Sequence, residues 1–181
     1  ANTALGNGAL LCNITGNRNT AVGHYALVLN TGGYDNVSVG RYSLRQNISG
    51  GYNTALGGCA LRLNTASNNT AVGARALCSN TTGTGNAAFG RSALLANTIA
   101  SNNTAFGDQA LTTNTTGTDN VAVGRGSLIN NTIGSYNTGL GKYTLLGNTT
   151  GNSNTAVGLG AMRCNTVGSY NTSVGASALF S

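Results

Sequence analysis

Large apolar residues recur along this chain in pairs five positions apart, and each pair returns after 17 residues. A motif close to Asn-Thr-Ala-Val-Gly begins at Asn2, Asn19, Asn36, Asn53, Asn69, Asn86, Asn103, Asn120, Asn137, Asn154 and Asn171, with a single shorter step of 16 from Asn53 to Asn69. Aligned, the units read N-T-A-V-G-x-x-A-L-x-x-N-T-x-G-x-x, and the columns are numbered here from one to seventeen. Column one is Asn and column five Gly in all eleven units, column four is always a large apolar residue, and column nine is Leu except at Met162. Column twelve is Asn in all ten units that reach column thirteen. The short unit lacks one residue near its end.

A fixed period of this size marks a repeat architecture. Seventeen residues are too few for two helices and a turn, while short runs rich in Thr and Val between Gly and Asn columns read as strands. The expected fold is therefore all-β: a parallel β-solenoid, or β-roll, of ten to eleven rungs forming one repeat domain over residues 1–181. Stacking rungs at the ~4.8 Å strand spacing turns columns into ladders. Asn19, Asn30, Asn103 and Asn114 stand in amide ladders along the axis, and Val22, Leu27, Phe106 and Leu111 in an apolar spine. Gly23 and Gly107 occupy the fixed turn column.

Charge sharpens the picture of which columns face water. All twelve charged residues lie in columns six, seven, ten and seventeen, and none lies in columns one to five. Strand side chains alternate between two faces. The expectation is that columns two and four point inward, and that the small residues of columns one, three and five form a second face that another backbone approaches. Two large apolar side chains per rung, at roughly 1.5–3 kcal/mol each, barely offset the ordering of a whole rung. A homo-oligomer is expected, because a second chain buries the second face.

Composition excludes more than it assigns. There are 28 Gly, no Pro, no Trp and no Glu, and the 7% charged fraction with 40% hydrophobic residues does not suit a disordered chain. No apolar run approaches the ~20 residues of a membrane helix, so no membrane insertion is expected. The net charge of +6 is spread over singly placed basic residues, which reads as a solvated surface rather than a nucleic-acid site. With His24 the sole histidine and three separate Asp, neither a triad nor a carboxylate pair can be assembled, so no catalytic role and no cofactor are expected. Cys12, Cys59, Cys78 and Cys164 lack zinc spacing; Cys59 and Cys78 fall on adjacent rungs, where a disulfide, free thiols or interchain links are all open. Tyr25, Tyr42 and Tyr143, with Arg41, Arg91 and Arg125, are the candidate surface-binding residues, since exposed Tyr beside Arg can stack on sugars of a glycan or receptor. Packing between subunits is the alternative role for the Tyr columns. Thr fills column two in eight of eleven units and column thirteen in eight of ten, which raises ice binding; the inward direction expected for column two opposes it.

The units Asn19 to Leu27 and Asn154 to Met162 resemble the N-S-V-A-I-G-x-x-A repeats of YadA-like trimeric autotransporter heads. They are still more similar to the N-T-A-V-G…A-L…N-T-T-G repeats of phage and viral tail fibres and of bacterial surface proteins, and the likeness covers the whole chain. It implies a parallel β-roll with three chains about a common axis, serving as a spacer shaft or adhesin at a cell surface, outside the cell or on a virion. Ala1 stands at column seventeen of a preceding unit and the last unit stops at column eleven, without distinct polar caps. Either a longer fibre or head-to-tail stacking into a filament is expected from that.

Overall fold

The computed structural model describes residues 1–180. The chain is all-β, a parallel β-solenoid of about ten turns. Each turn contributes one three-residue strand, from β1 (Thr3–Leu5) and β2 (Thr20–Val22), through β7 (Thr104–Phe106), β8 (Val121–Val123) and β9 (Thr138–Leu140), to β11 (Thr172–Val174). The eleven strands form a single sheet in strict sequence order. Pairing is in register column by column, as in Ala105↔Ala122 and Phe106↔Val123. The register survives the short unit, where Thr54 still pairs Thr70 and Leu56 pairs Val72.

The remaining columns close the coil through turns that also bond from rung to rung. Columns five, seven and seventeen donate backward, as in Gly107 N–H to the Phe89 carbonyl at 2.7 Å and Gln109 N–H to that of Arg91 at 3.0 Å. Columns two, nine and eleven donate forward, as in Leu111 N–H to the Ser127 carbonyl at 3.1 Å. The turns need left-handed backbone: Gly107 has φ +144° and Gln109, Leu111 and Asp119 have φ of 61°, 51° and 57°. At column five the conformation requires glycine twice over. A Cβ on Gly107 would lie 2.6 Å from the backbone of Gly124 on the next rung.

Column nine carries the opposite choice, a Leu in the same left-handed region. Such a conformation costs about 1–2 kcal/mol. Yet Leu27, Leu44, Leu61, Leu77, Leu94, Leu111, Leu128 and Leu145 are fully buried, and each gains roughly 1.5–3 kcal/mol from that burial. The burial outweighs the strain on these eight rungs and again at Met162, whereas Leu179 on the last rung is exposed.

The interior corrects the expected direction of the strands. Column three is buried, as at Ala21, Ala55 and Ala105, while columns two and four face outward. Val22 is only half-buried and Phe106 is 56% exposed, so the expected inward spine of column four lies on the outside. The cause is the narrowness of the coil. Leu of column nine fills the lumen from the opposite wall, and column three meets column eight directly. Where column eight enlarges to Ser127 and Thr144, column three shrinks to Gly139, whose added Cβ would fall 2.5 Å from Ser127 Oγ and 2.7 Å from Thr144 Oγ1. The small-residue face taken to await another chain is therefore the chain's own inner wall.

Candidate functional site

Two Asn ladders line one inner corner of the coil and tie each rung to the next. Asn19, Asn30, Asn103 and Asn114 are buried. Asn103 Nδ2 donates across the rung to the Gly117 carbonyl at 2.9 Å, and its Oδ1 accepts from the Asn120 N–H at 3.0 Å. Asn114 Nδ2 donates to the same Gly117 carbonyl at 2.9 Å and to Asn97 Oδ1 of the preceding rung at 3.1 Å. Both ladders thus converge on column fifteen. Only an amide supplies a donor and an acceptor with this reach, which explains Asn in a core that would otherwise be Ala and Leu.

The outer face of the sheet is the first candidate surface. Columns two and four present Thr104, Phe106, Val121, Val123, Thr138 and Leu140 side by side along β7 to β9. Leu56 is 37% exposed, Phe106 56% and Val174 71%, and Phe89 stacks on Phe106 with ring centroids 5.4 Å apart. The face carries no charge over eleven strands.

The second candidate surface lies beyond the column-five turn, where the structure brings columns six, seven and ten together. Tyr25 and Tyr42 stack at 5.9 Å with an interplanar angle of 4°, and His24 lies 4.3 Å from the Tyr25 ring. Arg41 and Arg45 sit over Tyr42 at 4.6 and 5.7 Å. Further along, Arg125, Lys142 and Arg163 surround Tyr143 at 5.8, 4.9 and 5.9 Å. Arg91 belongs to the same edge, bound to Asp108 at 3.0 Å, with Arg125 on the far side of that carboxylate at 3.8 Å. All six candidate surface-binding residues, Tyr25, Tyr42, Tyr143, Arg41, Arg91 and Arg125, stand on this edge. Column ten, contributing Arg45, Arg62 and Arg163, was absent from that set because its sequence spacing gives no sign that it meets column seven.

Other expected features fall elsewhere. Tyr34 and Tyr52 pack edge to face at 5.2 Å near the column-seventeen pair of Arg18 and Asp35, whose Nε–Oδ1 distance is 2.6 Å. The Arg18 hydrogen bond holds the Asp35 carboxyl below its ordinary value. Cys59 and Cys78 are free thiols, as are Cys12 and Cys164. Burial pushes the Cys78 thiol up, with Arg62 and Arg75 opposing and Cys59 adding to the shift. Among the described residues no three His, Cys, Asp or Glu side chains cluster as a metal site, and no helix is long and apolar enough to cross a membrane. Column thirteen lies at the surface or half-buried, and its Thr hydroxyls bond along the axis to the next rung, as Thr115 Oγ1 donates to the Thr132 carbonyl at 3.0 Å.

No protein family, curated protein or solved structure matches the chain.

Proposed function

We propose that the chain is a structural shaft that self-associates side by side through the outer face of its sheet, in a fibre or surface projection outside the cell or on a virion. The observation that carries this reading is the uncharged, half-apolar surface of columns two and four, continuous over eleven strands. A strip of eleven rungs at ~4.8 Å and about 10 Å wide amounts to roughly 500 Å² per copy, so a pair buries about 1,000 Å². That lies at the lower bound for a stable interface, which favours closure about an axis by more than two copies, as the likeness to trimeric fibre repeats implies.

Mass by light scattering tests it. The purified chain is expected at a multiple of 18.0 kDa, and Phe106→Glu combined with Val123→Glu is expected at one chain mass with an unchanged circular dichroism spectrum. A wild-type chain that stays single at high concentration would remove the proposal.

A second reading gains from one observation: column two faces outward, so the objection to ice binding on that face falls. Bulky Phe89, Phe106 and Leu140 in the neighbouring column break the flatness that a lattice match needs. A thermal-hysteresis assay decides it, and clear activity would reassign the face from another copy to ice.

A further inference from the structure

The basic residues that look scattered in sequence are collected by the fold. Arg41, Arg45, Arg62, Arg75, Arg91, Arg125, Lys142 and Arg163 occupy columns six, seven and ten, and these columns share one edge. Asp108 is the only acidic residue in those columns, so the edge carries eight positive charges and one negative, a net +7. Arg18, Asp35 and Asp119 in column seventeen give a net −1, and the two sum to the chain's +6. Every rung from the third to the tenth except the seventh supplies a cation, and the seventh supplies Asp108, held between the Arg91 and Arg125 guanidiniums. At ~4.8 Å per rung the strip runs about 34 Å.

We infer that this edge is a binding strip for a linear anionic polysaccharide, lying along the rod with its carboxylate or sulfate groups on the Arg and Lys ladder. Regular cation spacing along a straight axis suits an extended polyanion. The aromatic rings decide between polyanions. Single-stranded nucleic acid is held by stacking bases on free aromatic faces, but here cations occupy the ring environment, with Arg41 and Arg45 about Tyr42 and Arg125, Lys142 and Arg163 about Tyr143. The rings orient the guanidinium groups, which then present their outer donors to the ligand. A duplex needs a surface that meets two phosphate rows, whereas the cations of columns six and ten lie within 4.6 to 5.9 Å of shared column-seven Tyr rings and form one narrow band. The strip uses columns six, seven and ten and the outer sheet face columns two and four, so the two surfaces share no residue.

The probes are heparin, a sulfated chain, and polygalacturonate, a carboxylated one, with single-stranded and duplex DNA as competitors and neutral dextran as control. Binding to immobilised heparin and polygalacturonate is expected at low salt and to weaken as salt rises. Arg125→Gln with Lys142→Gln and Arg163→Gln is expected to weaken it at least tenfold. Arg18→Gln, on the other edge, is expected to leave it within twofold. Tyr143→Leu is expected to weaken it severalfold while the circular dichroism spectrum stays unchanged, which separates cation positioning from folding. No binding to either polysaccharide at low salt, equal loss in Arg18→Gln, or DNA displacing both polysaccharides at lower concentration would each overturn the assignment. Chain mass measured on the same variants keeps this result apart from that of self-association.

Discussion

At the scale of single residues, the core is built from three unlike solutions. Asn satisfies itself, Leu outweighs its own backbone strain, and Gly at column five admits a neighbour no other residue could. The Asn103 side chain donates to the Gly117 carbonyl and accepts from both the backbone N–H and the side-chain amide of Asn120 in the buried corner. Replacing it with Asp removes two donors and buries a charge, for a cost of about 3 kcal/mol or more at neutral pH. Burial would raise that carboxyl's folded pKa above its unfolded value, so the deficit is expected to shrink as pH falls; denaturant melts at pH 4 and pH 7 check this. Leu111→Ala is expected to cost about 2–5 kcal/mol in the same assay, because the lumen has no spare side chain to collapse into the gap. Asp35 gives the opposite sign: its folded carboxyl is depressed by Arg18, so its contribution is present above the ordinary carboxylate range and lost as pH falls through the depressed value. An NMR titration should find Asp35 below the usual range in the wild type and near it in Arg18→Gln. Much of this was legible in sequence, since invariant Asn and Gly columns named the ladder and the turn. The left-handed Leu was not, because Leu carries no propensity for that backbone and only the closed coil demands it.

At the scale of the element, each strand is three residues long and alternation fixes its faces, but alternation alone does not say which face is inside. The usual rule sends the larger residues inward, and here it fails: Phe106 is out and Ala105 is in. The signal that could have found this is the covariation of columns three and eight, where Ser38 pairs with Ser43 and Gly139 makes room for Thr144. Enlarging column three should therefore be costly and enlarging column four should not. Ala105→Leu is expected to destabilise by about 1–3 kcal/mol through overpacking, whereas Val123→Leu, on the outer face, is expected to stay within about 0.5 kcal/mol. Thermal melts of the two variants compare them directly.

At the scale of the whole molecule, the rod is one-dimensional: each rung contacts only its neighbours. The short unit shows where a residue can be lost. Asn53 and Asn64 both still donate to the Ala66 carbonyl at 2.8 Å, so the gap is absorbed at column fourteen, between Thr65 and Ala66. Deleting Gly32 from the same column is expected to leave the fold intact, while deleting one residue between columns five and twelve would break the stacking of every ladder. Period and fold were legible because repetition replaces what a single rung cannot say. The basic edge was not, because the convergence of columns six, seven and ten depends on how the turns close. The most direct measurement of self-association through the outer sheet face is photo-crosslinking from a benzoylphenylalanine placed at Phe106 in the purified chain. Covalent dimers and higher species are expected, with adducts that map to columns two and four of another copy. Adducts confined to the same chain or to solvent, at concentrations where the mass is multimeric, would contradict it.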